Sequence, residues 1–368
     1  MTTVKKCSFC LLLLVCINLV AWSQPIASLE FLSLHPKPVI DKGSPETADN
    51  KFGFEGGTVR KVGGTYYLFS TEVFDTPKTA AVRMAIWKSG DGITFRKHRV
   101  IAKTNYNWND STYRMSPWSP MTAFDPERNV WSVFHVGYRR KPNSTNVFNM
   151  SGRIRRLDSK VKGINGIGGP YASGGWLNID KKPEQWEGPG EMVSFCAFKV
   201  GAEWWGFYGS NSVPEHVDAS GTINLNAKNL FFVGLAKSKG DLTGKWVRQS
   251  HLNPVQMDPE FVENPVVTKI HDSLYIAVYD GANEQEVSYA CSKDGMYWGK
   301  EQLIRIPNAP KAIKNTRTPL CLIDEGKGVY TIYFTAFDGE NPKQVEPLWH
   351  DGYGRVWRMQ VKLVEHKM

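Results

Sequence analysis

Five times along this 368-residue chain the same short phrase recurs, and a fivefold repeat of this kind leaves few folds open. The copies begin "EGGTVRKVGGTYYLFSTE" at Glu55, "WSPMTAFDPERNVWSVFHVGYR" at Trp118, "EMVSFCAFKVGAEWWGFYGSN" at Glu191, "ENPVVTKIHDSLYIAVYDG" at Glu263 and "RTPLCLIDEGKGVYTIYFTAFDG" at Arg317. In each, one special residue opens a short apolar strand. A polar turn follows, and an aromatic-rich strand then returns with period-two alternation. Such alternation on both sides of a Gly- or Asp-bearing turn is the signature of a β-hairpin.

A second pair of strands follows each hairpin. "VRMAIWKSGDGITFRKHRVI" runs through Ser89, Asp91, Gly92 and Phe95, and "VGLAKSKGDLTGKWVRQ" through Ser238, Asp241, Gly244 and Trp246. "VSYACSKDGMYWGKEQLI" runs through Ser292, Asp294, Gly295 and Trp298. The polar turn is expected to cap two strands, and the aromatic after it to pack between neighbouring sheets. Copy two is less regular: "RIRRLDSKVKGINGIGGPY" keeps Ser159 and ends in Gly169-Pro170-Tyr171, while copy five ends in "YGRVWRMQVKLVE". Four strands per unit and five units predict an all-β chain folded as a five-bladed β-propeller. The N-terminal "SLEFLSLHPKPVI" is expected to supply the strand that closes the ring, and residues 163–175 and 213–227 read as long loops. No linker separates the copies, so residues 24–368 are expected to form a single domain.

The chain opens "MTTVKKCSFCLLLLVCINLVAWSQ", with Lys5 and Lys6 before an apolar run and Ala21-Trp22-Ser23 after it. Residues 1–23 therefore read as a cleavable signal peptide, cut before Gln24, and the protein is expected to be secreted or periplasmic. The run is too short and wrongly flanked for a membrane span. Cys196, Cys291 and Cys321 remain after cleavage, each in an apolar run, and read as buried small hydrophobes. There is no zinc-type cluster, P-loop or dinucleotide fingerprint, so neither a metal nor a cofactor is expected.

In a propeller the first strand of each blade lines the central channel. Glu55, Trp118, Glu191, Glu263 and Arg317 would then converge on one polar pocket. A lone carboxylate in an apolar strand costs several kcal/mol unless it is paired or neutral. Clustered carboxylates push one pKa up, so one glutamate can stay protonated as an acid while another is ionised, a division of labour that glycosidic cleavage needs. Glu55, Glu191 and Glu263 are the catalytic candidates. Glu187, in "EGPGEM", is a nearby alternative to Glu191, and Glu55 could instead brace Arg60 or Arg317. Arg317 is either a clamp for a substrate carboxylate or hydroxyl, or an ion-pair partner. Trp118 is a sugar platform or core packing. His135, in "VFHVGYR", and Asp280, in "AVYDG", end second strands and are further substrate-binding candidates, with a structural role as the alternative. His350, in "LWHDGYG", could face the channel or bind a metal with water, of which the metal is not the expected reading.

The blade grammar, the "AKSKGDLTGKW" and "SKVKGINGIGGPY" turns, and the acids opening blades one, three and four resemble the five-bladed propeller glycoside hydrolases. That group includes the arabinanase and xylosidase type (family 43), the levanase and invertase type, the anhydrogalactosidases of family 117 and the β-L-arabinofuranosidases of family 137. The arabinanase group usually presents aspartates on blades one and three and a glutamate on blade four, where this chain has Glu55, Glu191 and Glu263. Glutamates from blades three and four are similar to the β-L-arabinofuranosidase pattern. The resemblance implies an exo-acting glycoside hydrolase, and its members are mixed between retention and inversion. The pocket positions themselves lead to the expectation of inversion, with Glu263 as general acid and Glu191 or Glu55 activating water.

The chain carries a formal net charge of +9, and +7 once Lys5 and Lys6 leave with the signal. That balance favours an anionic partner. No basic stripe suited to nucleic acid is present, so an acidic plant or algal oligosaccharide or polysaccharide is the expected substrate, read in part by Arg60, Arg83, Arg114 and Arg317. The protein is expected to be a monomer. Two other readings stay open: a lectin-like glycan-binding propeller, and a polysaccharide lyase using His135 and Arg317. A lectin usually repeats one site per blade, whereas these five opening residues differ.

Overall fold

The computed structural model describes residues 25–75, 80–104, 114–140, 150–180, 182–187, 192–211, 231–258, 260–283, 285–339 and 352–366. The signal segment, Glu191, the stretch 213–227 and His350 lie outside them.

The first strand is β1 (Ala27–Leu34). Blade one follows as β2 (Gly53–Val62), β3 (Thr65–Asp75), β4 (Ala80–Ser89) and β5 (Arg96–Lys103). Blade two is β6 (Arg114–Asp125), β7 (Val130–Arg140), β8 (Met150–Ser159) and β9 (Tyr171–Trp176). Blade three is β10 (Met192–Val200), β11 (Glu203–Asn211), β12 (Phe231–Lys239) and β13 (Lys245–Arg248). Blade four is β14 (Glu263–His271), β15 (Leu274–Asp280), β16 (Glu286–Ser292) and β17 (Gln302–Arg305). Blade five uses β18 (Asn315–Pro319), the short β19 (Ile323–Gly326), β20 (Val329–Phe337) and β21 (Arg355–Glu365). Each sheet is antiparallel, and the five form a five-bladed propeller, as the repeat predicts.

Blade five is completed from the other end of the chain. β1 pairs with β21 from Ala27 opposite Glu365 to Leu34 opposite Met359, so the sheet runs β18-β20-β21-β1. The ring is thus closed by main-chain hydrogen bonds, which leave no unpaired edge between the first and last strands.

The repeated polar turn works as its chemistry suggests. Ser89 Oγ accepts from Gly92 N at 2.9 Å, and Asp91 Oδ1 accepts from Ile93 N and Thr94 N. Ser292 and Asp294 repeat the arrangement on blade four. The aromatic after the turn then crosses to the next blade. Phe95 lies edge-on to Tyr333 of blade five at 5.7 Å, and Trp298 packs on Phe207 of blade three at 5.2 Å. Such ring pairs contribute roughly 0.5–1.5 kcal/mol beyond their buried area. Cys196, Cys291 and Cys321 are free thiols buried in this packing.

Residues 163–175 depart from the loop expected of them. They contain a 3-10 turn, Ile164–Gly168, and most of β9, the outer strand of blade two. Glycine weakens strand propensity, but the ladder with β8 from Ser159 opposite Tyr171 to Arg155 opposite Trp176 supplies what the side chains do not. Tyr171 anchors the segment, edge-on to Phe69 of blade one at 6.1 Å. At Gly174 a Cβ would lie 2.7 Å from Asp158 Oδ2, so the bare backbone is what fits there.

Candidate functional site

All five inner strands are irregular at the aligned position. The register shifts between Glu55 and Gly57, Trp118 and Met121, Met192 and Ser194, Glu263 and Val266, and Arg317 and Pro319. A bulge inserts unpaired backbone and re-aims the side chain beside it. In three blades the residue just after the opening one is left-handed: Gly56 at φ 65°, Ser119 at φ 48° and Asn264 at φ 52°. The sequence carries a signal for this. Copies two, four and five read W-S-P, E-N-P and R-T-P, and a proline two residues into a strand cannot donate to the ladder.

The bulges bring four predicted residues together around one guanidinium. Arg317 Nη2 lies 3.1 Å from Glu55 Oε1 and 3.1 Å from Glu263 Oε2. Its Nε donates to Glu55 Oε1 at 3.3 Å, and Nη1 lies 2.9 Å from Asp280 Oδ2. Asp280 reaches the group because it sits opposite Glu263 in the β14–β15 ladder. Glu55, Glu263 and Asp280 are all buried. Blades one, four and five therefore share a knot of three carboxyls and one cation.

Fully ionised, that knot would hold two uncompensated negative charges out of water, which is unfavourable. Protons relieve it. Burial first, then the neighbouring Glu263 and Glu55 charges, push the Asp280 carboxyl up to about 8 against the opposing pull of Arg317. Burial likewise raises Glu263, with Glu55 adding to the effect, and burial raises Glu55; Arg317 opposes both. Burial alone would lower Arg317, but Asp280, Glu55 and Glu263 outweigh it and hold the guanidinium charged. All three carboxyls are thus pushed towards their protonated forms beside one fixed cation, the kind of environment in which acid and base roles are set by position.

Trp118 is buried and stands edge-on to Tyr138, with ring centres 6.4 Å apart. Tyr138 itself abuts the knot: burial raises its phenol, and the Glu263 and Glu55 charges raise it further. Sequence reasoning missed it, because it ends a second strand outside the aligned opening positions. It missed Ser119 and Asn264 as well. Ser119 Oγ donates to Asn264 Oδ1 at 2.9 Å, and a Cβ on Gly56 would lie 3.0 Å from Ser119 Oγ. Ser119 and Asn264 thus form a crossbar between blades two and four, with Gly56 of blade one packed against it.

The remaining candidates sit elsewhere. His135 is buried with Nδ1 3.0 Å from Val136 O, which keeps a proton on Nδ1 of the neutral ring. Burial pushes it down to about 4, and its cross-strand neighbour is Arg155. Glu187 is bound by Arg248 through Nε and Nη2 at 2.6 and 2.9 Å and by Tyr208 Oη at 3.1 Å, so it is committed to blade three. An open cleft of about 800 Å³ beside Trp186 and Arg248 shares no lining residue with the Arg317 knot. Arg83 pairs with Glu72 at 2.5 Å and with Asp49. Arg60 bonds Thr122, so Glu55 braces Arg317 and not Arg60. The Arg114 side chain lies outside the described residues.

No protein-family model matches the chain, and no curated protein matches it. Solved structures do match in fold. The complex of BT0996 with RGII superposes with a TM-score of 0.60 at 13% identity, over 90% of this protein and 92% of that one. A family 117 glycoside hydrolase of the marine bacterium Zobellia galactanivorans gives 0.59 at 13% identity, over 91% and 90%. The GH43_1 enzyme from Xanthomonas citri complexed with xylotriose gives 0.52 at 11% identity, over 88% of each protein. This chain is thus similar in fold, over nearly its whole length, to five-bladed propellers of the glycoside hydrolases.

Proposed function

We propose that the protein is a secreted, exo-acting glycoside hydrolase that removes a sugar, arabinofuranosidase-like, from an acidic plant or algal glycan. The observation that carries this reading is the shared guanidinium: Glu55, Glu263 and Asp280, from two blades, all reach Arg317. Three buried carboxyls share this one cation, and burial raises all three above their ordinary values. Glu263 holds its proton through burial and the Glu55 charge, and delivers it to the departing glycosidic oxygen. Glu191 or Glu55 takes a proton from the attacking water. The fold likeness to family 117 and family 43 glycoside hydrolases supports the reaction class, and the complexes with RGII and with xylotriose support an oligosaccharide substrate. The basic balance of the chain supports an anionic one.

The test is digestion of a panel of acidic and neutral oligosaccharides by the wild type and by Glu263→Gln. Sugar release by the wild type and its loss in the folded variant are expected. Tight glycan binding without release of any sugar would make the protein a glycan-binding propeller instead.

A further inference from the structure

The open cleft on blade three lies at the mouth of the ring where the inner strands begin. β10 starts there, and antiparallel alternation brings β13, the fourth strand, back to end there. The walls of the cleft are the segment that leads into β10 and the segment that leaves β13.

Hydrogen bonds fix both walls. Arg248 donates through Nη1 to Asp180 Oδ1 at 2.9 Å and through Nε and Nη2 to Glu187. Trp186 Nε1 donates to Glu184 Oε2 at 2.5 Å, and Asn253 Nδ2 donates to Tyr208 Oη at 3.1 Å. The indole leans on Tyr208, with ring centres 5.6 Å apart. It also lies so close to Gly234 that a Cβ there would stand 2.7 Å from Trp186 Cζ2. Trp186 is thus packed on blade three along one side; it is half-buried, and its remaining surface lines the cleft.

The indole N–H is spent on Glu184, so what Trp186 offers a ligand is a fixed apolar plane. Polar capacity lies beside it. Asp180 Oδ2 and the Ser250 hydroxyl make no hydrogen bond among the described residues, and Glu184 Oε1 has only a long one, 3.4 Å from Asn253 Nδ2. An apolar plane edged by oriented carboxylates and a hydroxyl matches a sugar, whose ring face carries C–H groups and whose rim carries hydroxyls. The charges favour a neutral one. Asp180 and Glu184 offset Lys182 and Arg248, and Arg248 is already held by two carboxylates. The volume, about 800 Å³, falls within the roughly 300–1,000 Å³ of small-molecule sites.

We propose that this cleft is a second, non-catalytic saccharide-binding site for neutral sugar residues. The ring lies on Trp186, and its hydroxyls bond Asp180, Glu184 and Ser250. None of the lining residues belongs to the Arg317 knot, so binding stands apart from the glycosidase reading. The cleft opens at the same mouth as Glu263, which begins β14. Under that reading it holds the part of a glycan that runs outward over blade three.

Isothermal titration of xylotriose and arabinotriose, both uncharged, into the wild type, Trp186→Ala and Glu263→Gln tests the site. The wild type and Glu263→Gln are expected to bind at least one of them equally well and with little dependence on added salt. Trp186→Ala is expected to bind it about tenfold more weakly. No binding of either sugar by the wild type, or an affinity unchanged in Trp186→Ala, overturns the proposal. Binding lost in Glu263→Gln and kept in Trp186→Ala would put the sugar in the channel and overturn it too. Should Trp186→Ala fail to fold, wild-type crystals soaked in the two sugars decide the matter. Sugar density against the Trp186 indole supports the site, and density elsewhere only, or none, overturns it. Sugar release is a separate readout, so the cleft and the glycosidase reading can each fail while the other stands.

Discussion

Ser119 of blade two donates its hydroxyl to the amide oxygen of Asn264 of blade four, 2.9 Å away, across the channel axis. Both residues directly follow an aligned opening residue, and both are left-handed, at φ 48° and 52°. The bond thus fixes the backbone that aims Trp118 and Glu263. Asn264→Ala removes it and places a less tolerant residue at positive φ. We expect a loss of about 1–3 kcal/mol, read from denaturant midpoints, together with reduced turnover. Asn264→Gly keeps the backbone at ease and should lose less stability. Two variants as stable as the wild type would show that the crossbar contributes nothing.

Arg317 is expected to be the residue on which the knot depends. Arg317→Met leaves Glu55, Glu263 and Asp280 facing one another without a cation, at a cost of about 3–5 kcal/mol near neutral pH. Lowering the pH should recover part of that loss as the carboxyls gain protons. Arg317→Lys keeps the charge but not the planar fork. Turnover should then fall to the same degree on an anionic substrate and on its neutral analogue. A loss confined to the anionic substrate would mean that Arg317 grips the substrate.

Asp280 predicts a pH dependence of stability. Its folded pKa, about 8, stands above the ordinary aspartate value of 3.8, so the folded state holds a proton that the unfolded chain releases. That contribution is fully present below the unfolded value and is lost as pH rises through the folded one. Melting temperature should therefore decline as pH rises towards 8, and Asp280→Asn should decline less. Parallel curves for the two proteins would place an ionised Asp280 in the knot.

Replacing Glu263 by Gln should cost about 10²-fold or more in kcat while the fold is kept, because a neutral amide cannot donate the acid's proton. The partner base is expected to be Glu191. Glu55 Oε1 and Glu263 Oε2 share one nitrogen at 3.1 Å each, so they lie within twice that distance of each other. Inverting enzymes separate their carboxyl groups by about 6.5–9.5 Å to admit water, which leaves little room between these two. We expect Glu191→Gln to lose more turnover than Glu55→Gln, and NMR of the first-formed product to show the inverted anomer. Retention, or a covalent sugar on Glu55, would instead make Glu55 the nucleophile.

The five-bladed ring was legible in the sequence because period-two alternation, polar turns and post-turn aromatics are local patterns, and here each recurs in register. The same repeat aligned Glu55, Glu263 and Arg317, since equivalent positions on inner strands must face one channel. Asp280 was legible only as a strand end; its partnership with Glu263 is a matter of ladder register, which the hairpin sets. Tyr138, Ser119 and Asn264 stayed hidden because their roles depend on contacts between blades, and the W-S-P and E-N-P triplets mark a bulge without saying what it aims at. The protonation states are further still from sequence. A carboxyl's pKa depends on burial and on charges brought near by other strands, so the same aspartate in an isolated hairpin would titrate normally. Local periodicity determined the architecture; long-range packing around Arg317 decided which carboxyls keep their protons.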